Sequence, residues 1–133
     1  MSAPTHTRVR KVANIIIPAA DQDRMLGFYT ETLGLETRAD APFGGDGDGG
    51  RWIEVAPAGA DTTIAICPPG PGVTPGGKET GITLQVEDID AYHAQLKERG
   101  ADVDAEVSRF GEGVPPLFWF RDAESNQLMV AQA

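Results

Sequence analysis

The amino-acid sequence predicts an α+β fold made of two βαβββ modules, and three observations carry that reading. The order strand, helix and three further extended segments occurs twice, at about residues 12–67 and 80–131, around a proline- and glycine-rich stretch at 68–79. Two aspartates placed as helix N-caps, Asp21 and Asp88, stand 67 positions apart, and two glycines placed as helix stops, Gly34 and Gly100, stand 66 apart, half the chain in each case. Apolar residues recur at helical spacing between each cap and stop, and the flanking segments are short and rich in β-branched residues. A chain of 133 residues is long enough for one packed domain and short for two, so both modules are expected to belong to a single unit.

Each element has its own signal. Val12 to Ile17 is a short, apolar, β-branched run closed by Pro18, a buried strand. The first helix starts at Asp21 and presents Met25, Phe28, Tyr29, Thr32 and Leu33 on one face until Gly34 ends it. A short extended piece at Glu36 to Ala39 leads into Ala41 to Gly50, whose five glycines and two aspartates predict a mobile loop. Arg51 to Val55 and Thr62 to Cys67, separated by Pro57, Gly59 and Asp61, form an expected antiparallel pair. Pro68 to Lys78 is a linker, dense in proline and glycine. The second module repeats the plan with a strand at Ile82 to Val86 and a helix from Asp88 presenting Ile89, Tyr92 and Leu96.

Charge and cysteine content narrow the function classes. A net charge of −9 and a pI near 4.5 oppose binding to a phosphate backbone, so no nucleic-acid partner is expected. Cys67 is the only cysteine and has no internal partner for a disulfide. No apolar run reaches the length of a signal peptide core or a membrane span, so neither membrane association nor export is expected and the cytoplasm is the default location.

Three segments resemble a known family. Asp21 to Tyr29 with its Phe28-Tyr29 pair, running on to Leu33-Gly34-Leu35, resembles the first helix of the vicinal-oxygen-chelate superfamily, which includes glyoxalases, bleomycin-resistance proteins and extradiol dioxygenases. Val86 to Asp90, followed by Leu96 and Gly100, resembles its second helix, and Phe120 to Asn126 resembles its closing Asp-Pro-Asp-Gly-Asn hairpin, with Ala123 and Ser125 in place of proline and glycine. The resemblance implies that the two modules form a curved mixed-sheet cup with helices outside and a ligand or metal inside. It also implies that relatives pair through a two-fold axis, so a homodimer with sites near the subunit boundary is expected.

The same resemblance assigns the metal-ligand positions of family enzymes to Asn14, Ala65, Gly81 and Met129. Alanine and glycine have no side-chain donor, asparagine offers a neutral oxygen and methionine a soft thioether, a poor set for a divalent ion. No metal and no cofactor are therefore expected. His6 falls near the chain start, and His93 falls on the second helix as a partly exposed residue outside the cup.

Side-chain alternation nominates the ligand-binding residues. Ile15, Ile17, Ile53, Val55, Ile64, Ile66, Ile82, Leu84, Val86, Leu128 and Val130 take the helix-packed parity, and Trp119 is placed with them as core. The opposite parity gives Asn14, Trp52, Glu54, Thr63, Thr83, Gln85 and Met129 as cup-lining candidates, joined by Phe43 and Phe110 on loops and by Phe118 and Phe120 as stacking surfaces or core. Cys67 reads as a small buried residue.

Two functions fit this lining. The first is a metal-independent binding protein that captures a flat or cationic small molecule, such as an antibiotic, and sequesters it. The second is a metal-free enzyme, an isomerase, epimerase or lyase, using Glu54 as a general base with a pKa raised by burial, unless Glu54 is tied up by Arg51, Arg109 or Arg121. A degenerate copy retained only for assembly would show neither ligand nor turnover. The missing ligand set favours binding over catalysis.

Overall fold

The computed structural model describes residues 6–43 and 49–133. Along the chain run β1 (Asn14–Pro18), α1 (Gln22–Gly27) continuing as a π turn (Phe28–Thr32), β2 (Glu36–Pro42), β3 (Arg51–Ala56) and β4 (Thr63–Cys67). The second module follows with β5 (Glu79–Val86), α2 (Ile89–Glu98), β6 (Asp102–Val103), β7 (Leu117–Arg121) and β8 (Gln127–Gln132). The strands form two four-stranded sheets of identical order, β1-β4-β3-β2 and β5-β8-β7-β6. In each, the first strand pairs in parallel with the last, and the other ladders are antiparallel. The predicted α+β class and the duplication are both observed.

Both helices begin where a carboxylate satisfies a free amide. Asp21 accepts from Arg24 N and Asp88 accepts from Ala91 N, each at 3.1 Å. Gly34 and Gly100 end them in the left-handed conformation, at φ of 86° and 81°. The first helix departs from the uniform helix expected. Thr30 Oγ1 donates to Leu26 O at 2.8 Å and competes for the carbonyl its own amide would use, while Leu33 N reaches back to Phe28 O at 3.1 Å.

That wide turn aims two adjacent aromatics at the second module. The Phe28 ring stacks on Phe120 with centroids 6.2 Å apart, and the Tyr29 hydroxyl donates to Asp122 Oδ2 at 2.7 Å. Glu124 receives Ala20 N and Asp21 N at 2.9 and 2.8 Å, and Tyr92 donates to Leu33 O at 2.8 Å. One apolar cluster spans both modules, from Ile17, Met25, Tyr29, Ile53 and Ile66 to Ile89, Leu96, Phe118, Phe120, Leu128 and Val130. The modules of this chain thus pack on each other through their helix-bearing sides.

Three local expectations are corrected, and a fourth falls outside the described residues. β2 runs through Ala41 and Pro42, where the sequence predicts loop, and the Phe43 amide closes the hairpin on Gly50 O at 3.0 Å. Residues 44–48 of the predicted mobile loop lie outside the described residues. Ile15 has core parity but is more than a third exposed, on a strand that among the described residues pairs with β4 alone. His93 is buried, its Nε2 donating to Asp104 O at 2.7 Å and its ring edge-on to Phe118 at 4.8 Å.

Candidate binding face

The helix-free face of the first sheet is organised around one carboxylate. Glu54, on β3, accepts the Trp52 indole N–H on Oε2 and the Thr63 hydroxyl on Oε1, both at 2.6 Å. Trp52 lies two positions away on the same strand and so on the same face, and Thr63 comes from neighbouring β4. The bond from Thr63, then that from Trp52, with Lys11 acting at longer range, hold the Glu54 carboxyl below the usual glutamate range against a smaller opposing effect of burial.

This overturns the expectation of a raised pKa. A carboxylate held ionised by two donors is a weaker base than a free one. Among the described residues the alternative ion pair is absent as well: Arg51 pairs with Asp23 and Asp40, Arg109 with Asp90, and Arg121 with Asp102 and Asp104.

The side chains that flank this cluster on the neighbouring strands are small. Ala39 on β2 and Ala65 on β4 flank Glu54 directly, and Ala41 flanks Trp52. Phe43, which is exposed, meets Trp52 edge to face with centroids 6.3 Å apart, making an aromatic corner at the rim. Asn14 on β1 is half-buried and opposite Thr63. Cys67 is buried, and burial together with the Glu54 charge raises its thiol pKa, which leaves it a poor nucleophile.

Thr63 also lines a cleft of about 300 Å³ together with Ile15, Thr83 and Gln85, so three of the nominated residues meet there. Thr83 and Gln85 are exposed on β5, and Thr83 stands opposite half-buried Met129 on β8. Phe110 is 64% exposed on the loop between β6 and β7 and makes no aromatic pair among the described residues.

Phe118 and Phe120 are not on this face. Both are fully buried, and the β7–β8 register sets them opposite Val130 and Leu128, which belong to the core. Directly paired residues point to the same side of a sheet, so their neighbours Trp119 and Arg121 turn to the helix-free side. Trp119, read from sequence as core, is instead half-exposed and opposite Met129. The missed signal was the turn itself: counting outward from Asp122 and Asn126 pairs Arg121 with Gln127 and then Phe120 with Leu128.

The residues at the family's metal positions do not fit a divalent ion. Asn14 contributes an amide, Ala65 and Met129 no hard donor, and Gly81 sits at a φ of 72° where the β5–β8 register shifts, a conformation that disfavours any ligating side chain.

The architecture and this face define a paired-module α+β protein with an aromatic corner on its first sheet and a cleft of about 300 Å³ that Thr63 borders. Residues 11–130 match the family model described as the Glyoxalase/Bleomycin resistance protein/Dioxygenase superfamily, and the chain belongs to that superfamily. It is 34% identical to TnmS3, an antibiotic binding protein from Streptomyces sp. CB03234, whose crystal structure aligns with a TM-score of 0.81 over 96% of this chain and 98% of that one. A superfamily member from Sphaerobacter thermophilus DSM 20745 is 32% identical, with a TM-score of 0.84 over 94% and 98% of the two chains. The YurT protein of Bacillus subtilis (strain 168) is 30% identical over 92% of this chain and 98% of its own length.

Proposed function

We propose that this protein is a metal-independent small-molecule binding protein that sequesters an antibiotic or another aromatic or cationic metabolite. The observation that carries the reading is the anchored aromatic corner. Trp52 is fixed by its bond to Glu54, flanked by Phe43, and set beside small side chains that leave its surroundings open. A preset indole loses little freedom when a flat ligand stacks on it. Likeness to an antibiotic binding protein over nearly the whole chain supports the same reading.

Catalysis through Glu54 is the weaker alternative, because both carboxylate oxygens already accept strong hydrogen bonds and its basicity is reduced. The cytoplasm remains the proposed location. Among the described residues, no helix is long and apolar enough to cross a membrane.

Calorimetric titration with two flat three-ring probes, 9-aminoacridine and anthraquinone-2-sulfonate, tests the proposal. At least one is expected to bind and to be recovered unchanged, and Trp52→Ala is expected to weaken binding by about five-fold while the protein still folds. Binding equal to wild type in Trp52→Ala would remove Trp52 from the site. Elemental analysis finding near one equivalent of Zn, Ni, Mn or Fe, lost together with binding on chelation, would sink metal independence.

A further inference from the structure

Glu54 carries a charge that its hydrogen-bond partners leave in place. Its two hydrogen bonds come from an indole N–H and a hydroxyl, both uncharged, so they orient the carboxylate without cancelling its charge. None of the ion pairs among the described residues includes it. Lys11, whose charge is felt at Glu54, directs its own ammonium to Asp61 O at 3.2 Å. A carboxylate has roughly four acceptor directions, and the bonds from Trp52 and Thr63 leave about two of them for an incoming donor. Its flanking residues, Ala39 and Ala65, have no side chain long enough to reach them.

An unneutralised carboxylate two residues from a preset indole on one face is a receptor for a particular chemistry. The indole accepts the π-face of a fused ring and attracts positive charge through its quadrupole, and the carboxylate attracts the same charge directly. An anion of the same shape gains the stacking and meets repulsion from the carboxylate.

We propose that Glu54 sets the charge preference of this face: it fixes Trp52 and presents a fixed negative charge beside it, so that flat aromatic cations bearing a protonated amine or amidine are taken over equally flat anions. This rests on the binding reading above and assigns it a ligand class. Glu54 is in this scheme a positioning residue for Trp52 and a direct partner of the ligand cation.

Two substitutions separate those roles. Glu54→Gln keeps an oxygen for the indole N–H and an amide that bonds the Thr63 hydroxyl, and removes only the charge; Glu54→Leu removes both. Each is made in the wild-type chain for titration, and in a Trp119→Phe background so that fluorescence reports Trp52 alone. Wild type is expected to bind 9-aminoacridine more tightly than anthraquinone-2-sulfonate. Glu54→Gln is expected to lower the cation's affinity by about five-fold, less at high salt, with no loss for the anion. Glu54→Leu is expected to weaken both probes and to make Trp52 more accessible to acrylamide quenching.

An unchanged ratio of the two affinities in Glu54→Gln overturns the role of Glu54 while leaving the binding reading intact. Failure of wild type to bind either probe overturns the binding reading and the charge selection together. Unchanged Trp52 quenching in Glu54→Leu overturns the positioning role whatever the probes do.

Discussion

Tyr29 Oη donates to Asp122 Oδ2 at 2.7 Å, joining the first helix to the last hairpin across 93 positions of the chain. Both groups are buried, and burial together with the Asp122 charge pushes the Tyr29 phenol far above its usual range, so it remains a neutral donor throughout the accessible pH range. Asp122 is also held by the amides of Glu124 and Asn126 and by the Asn126 side chain, which itself accepts Lys78 N. This network ties linker, hairpin and first helix into one structure. It is the physical content of the Phe-Tyr and Asp-x-x-x-Asn signatures through which the family resemblance is read.

Removing the hydroxyl leaves one oxygen of a buried carboxylate with a single remaining donor from Asn126 Nδ2 at 3.1 Å. Tyr29→Phe is therefore expected to destabilise the fold by about 1.5–3 kcal/mol, with little change in volume. Urea unfolding of wild type and variant checks it. A loss under about 0.5 kcal/mol, the ordinary scatter of surface changes, would mean that the bond contributes nothing net.

The same hairpin carries a local strain. Ser125 adopts a φ of 63°, the left-handed region where a side chain is unfavourable and where relatives of this family place glycine. Its amide still closes the turn on Asp122 O at 2.9 Å. Ser125→Gly is expected to raise stability by about 1 kcal/mol, since relief of the side-chain clash exceeds the added freedom of the unfolded chain. A thermal midpoint lower than wild type would contradict this.

What the sequence reveals and conceals follows from the range of the interactions involved. Asp21, Asp88, Gly34 and Gly100 are readable because a cap or a stop is decided within a few residues. Which side of the sheet Trp119 faces depends on its pairing with Met129, a relation between strands that one strand's pattern leaves open. The alternation of β7 is ambiguous because Leu117 to Phe120 are all apolar. Burial of His93 depends likewise on Asp104 and Phe118 arriving from elsewhere. For Glu54, the strand parity that puts it on one face with Trp52 is local, whereas the direction in which its pKa moves is set by donors that only the folded side chains bring together.

That sign has a consequence for stability. The folded-state pKa of Glu54 is depressed below the unfolded value of about 4.3, so its contribution is complete above that value and is lost as pH falls through the folded pKa. Glutamine at this position does not titrate. The stability advantage of wild type over Glu54→Gln is therefore expected to shrink as pH is lowered from neutral through this window, and the unfolding free energies of the two proteins compared at several pH values give the result. An advantage that grows on acidification would reverse the sign of the shift.

The last prediction concerns assembly. Among the described residues β1 pairs only with β4 and β5 only with β8, so each first strand keeps one edge without a partner there, and such edges invite association. Apolar exposure gathers on the same part of the chain: Ile16, on the helix-free face of β1, is 54% exposed, Ile15 is 37%, and Val12 and Val9 ahead of the strand are 64% and 93%. A second copy covering this surface would close both the edge and the apolar run, and would bring additional walls to the open face around Trp52. A symmetric dimer with its sites near the subunit boundary is the expected state, the commonest arrangement for soluble oligomers. Sedimentation at micromolar concentration is expected to give twice the chain mass of 14.1 kDa. Ile16→Asp, which sets a charge in the apolar run, is expected to shift the protein toward monomer and to weaken the flat probes with it. A wild-type mass of 14.1 kDa that no probe changes would overturn the dimer and confine the binding face to a single chain.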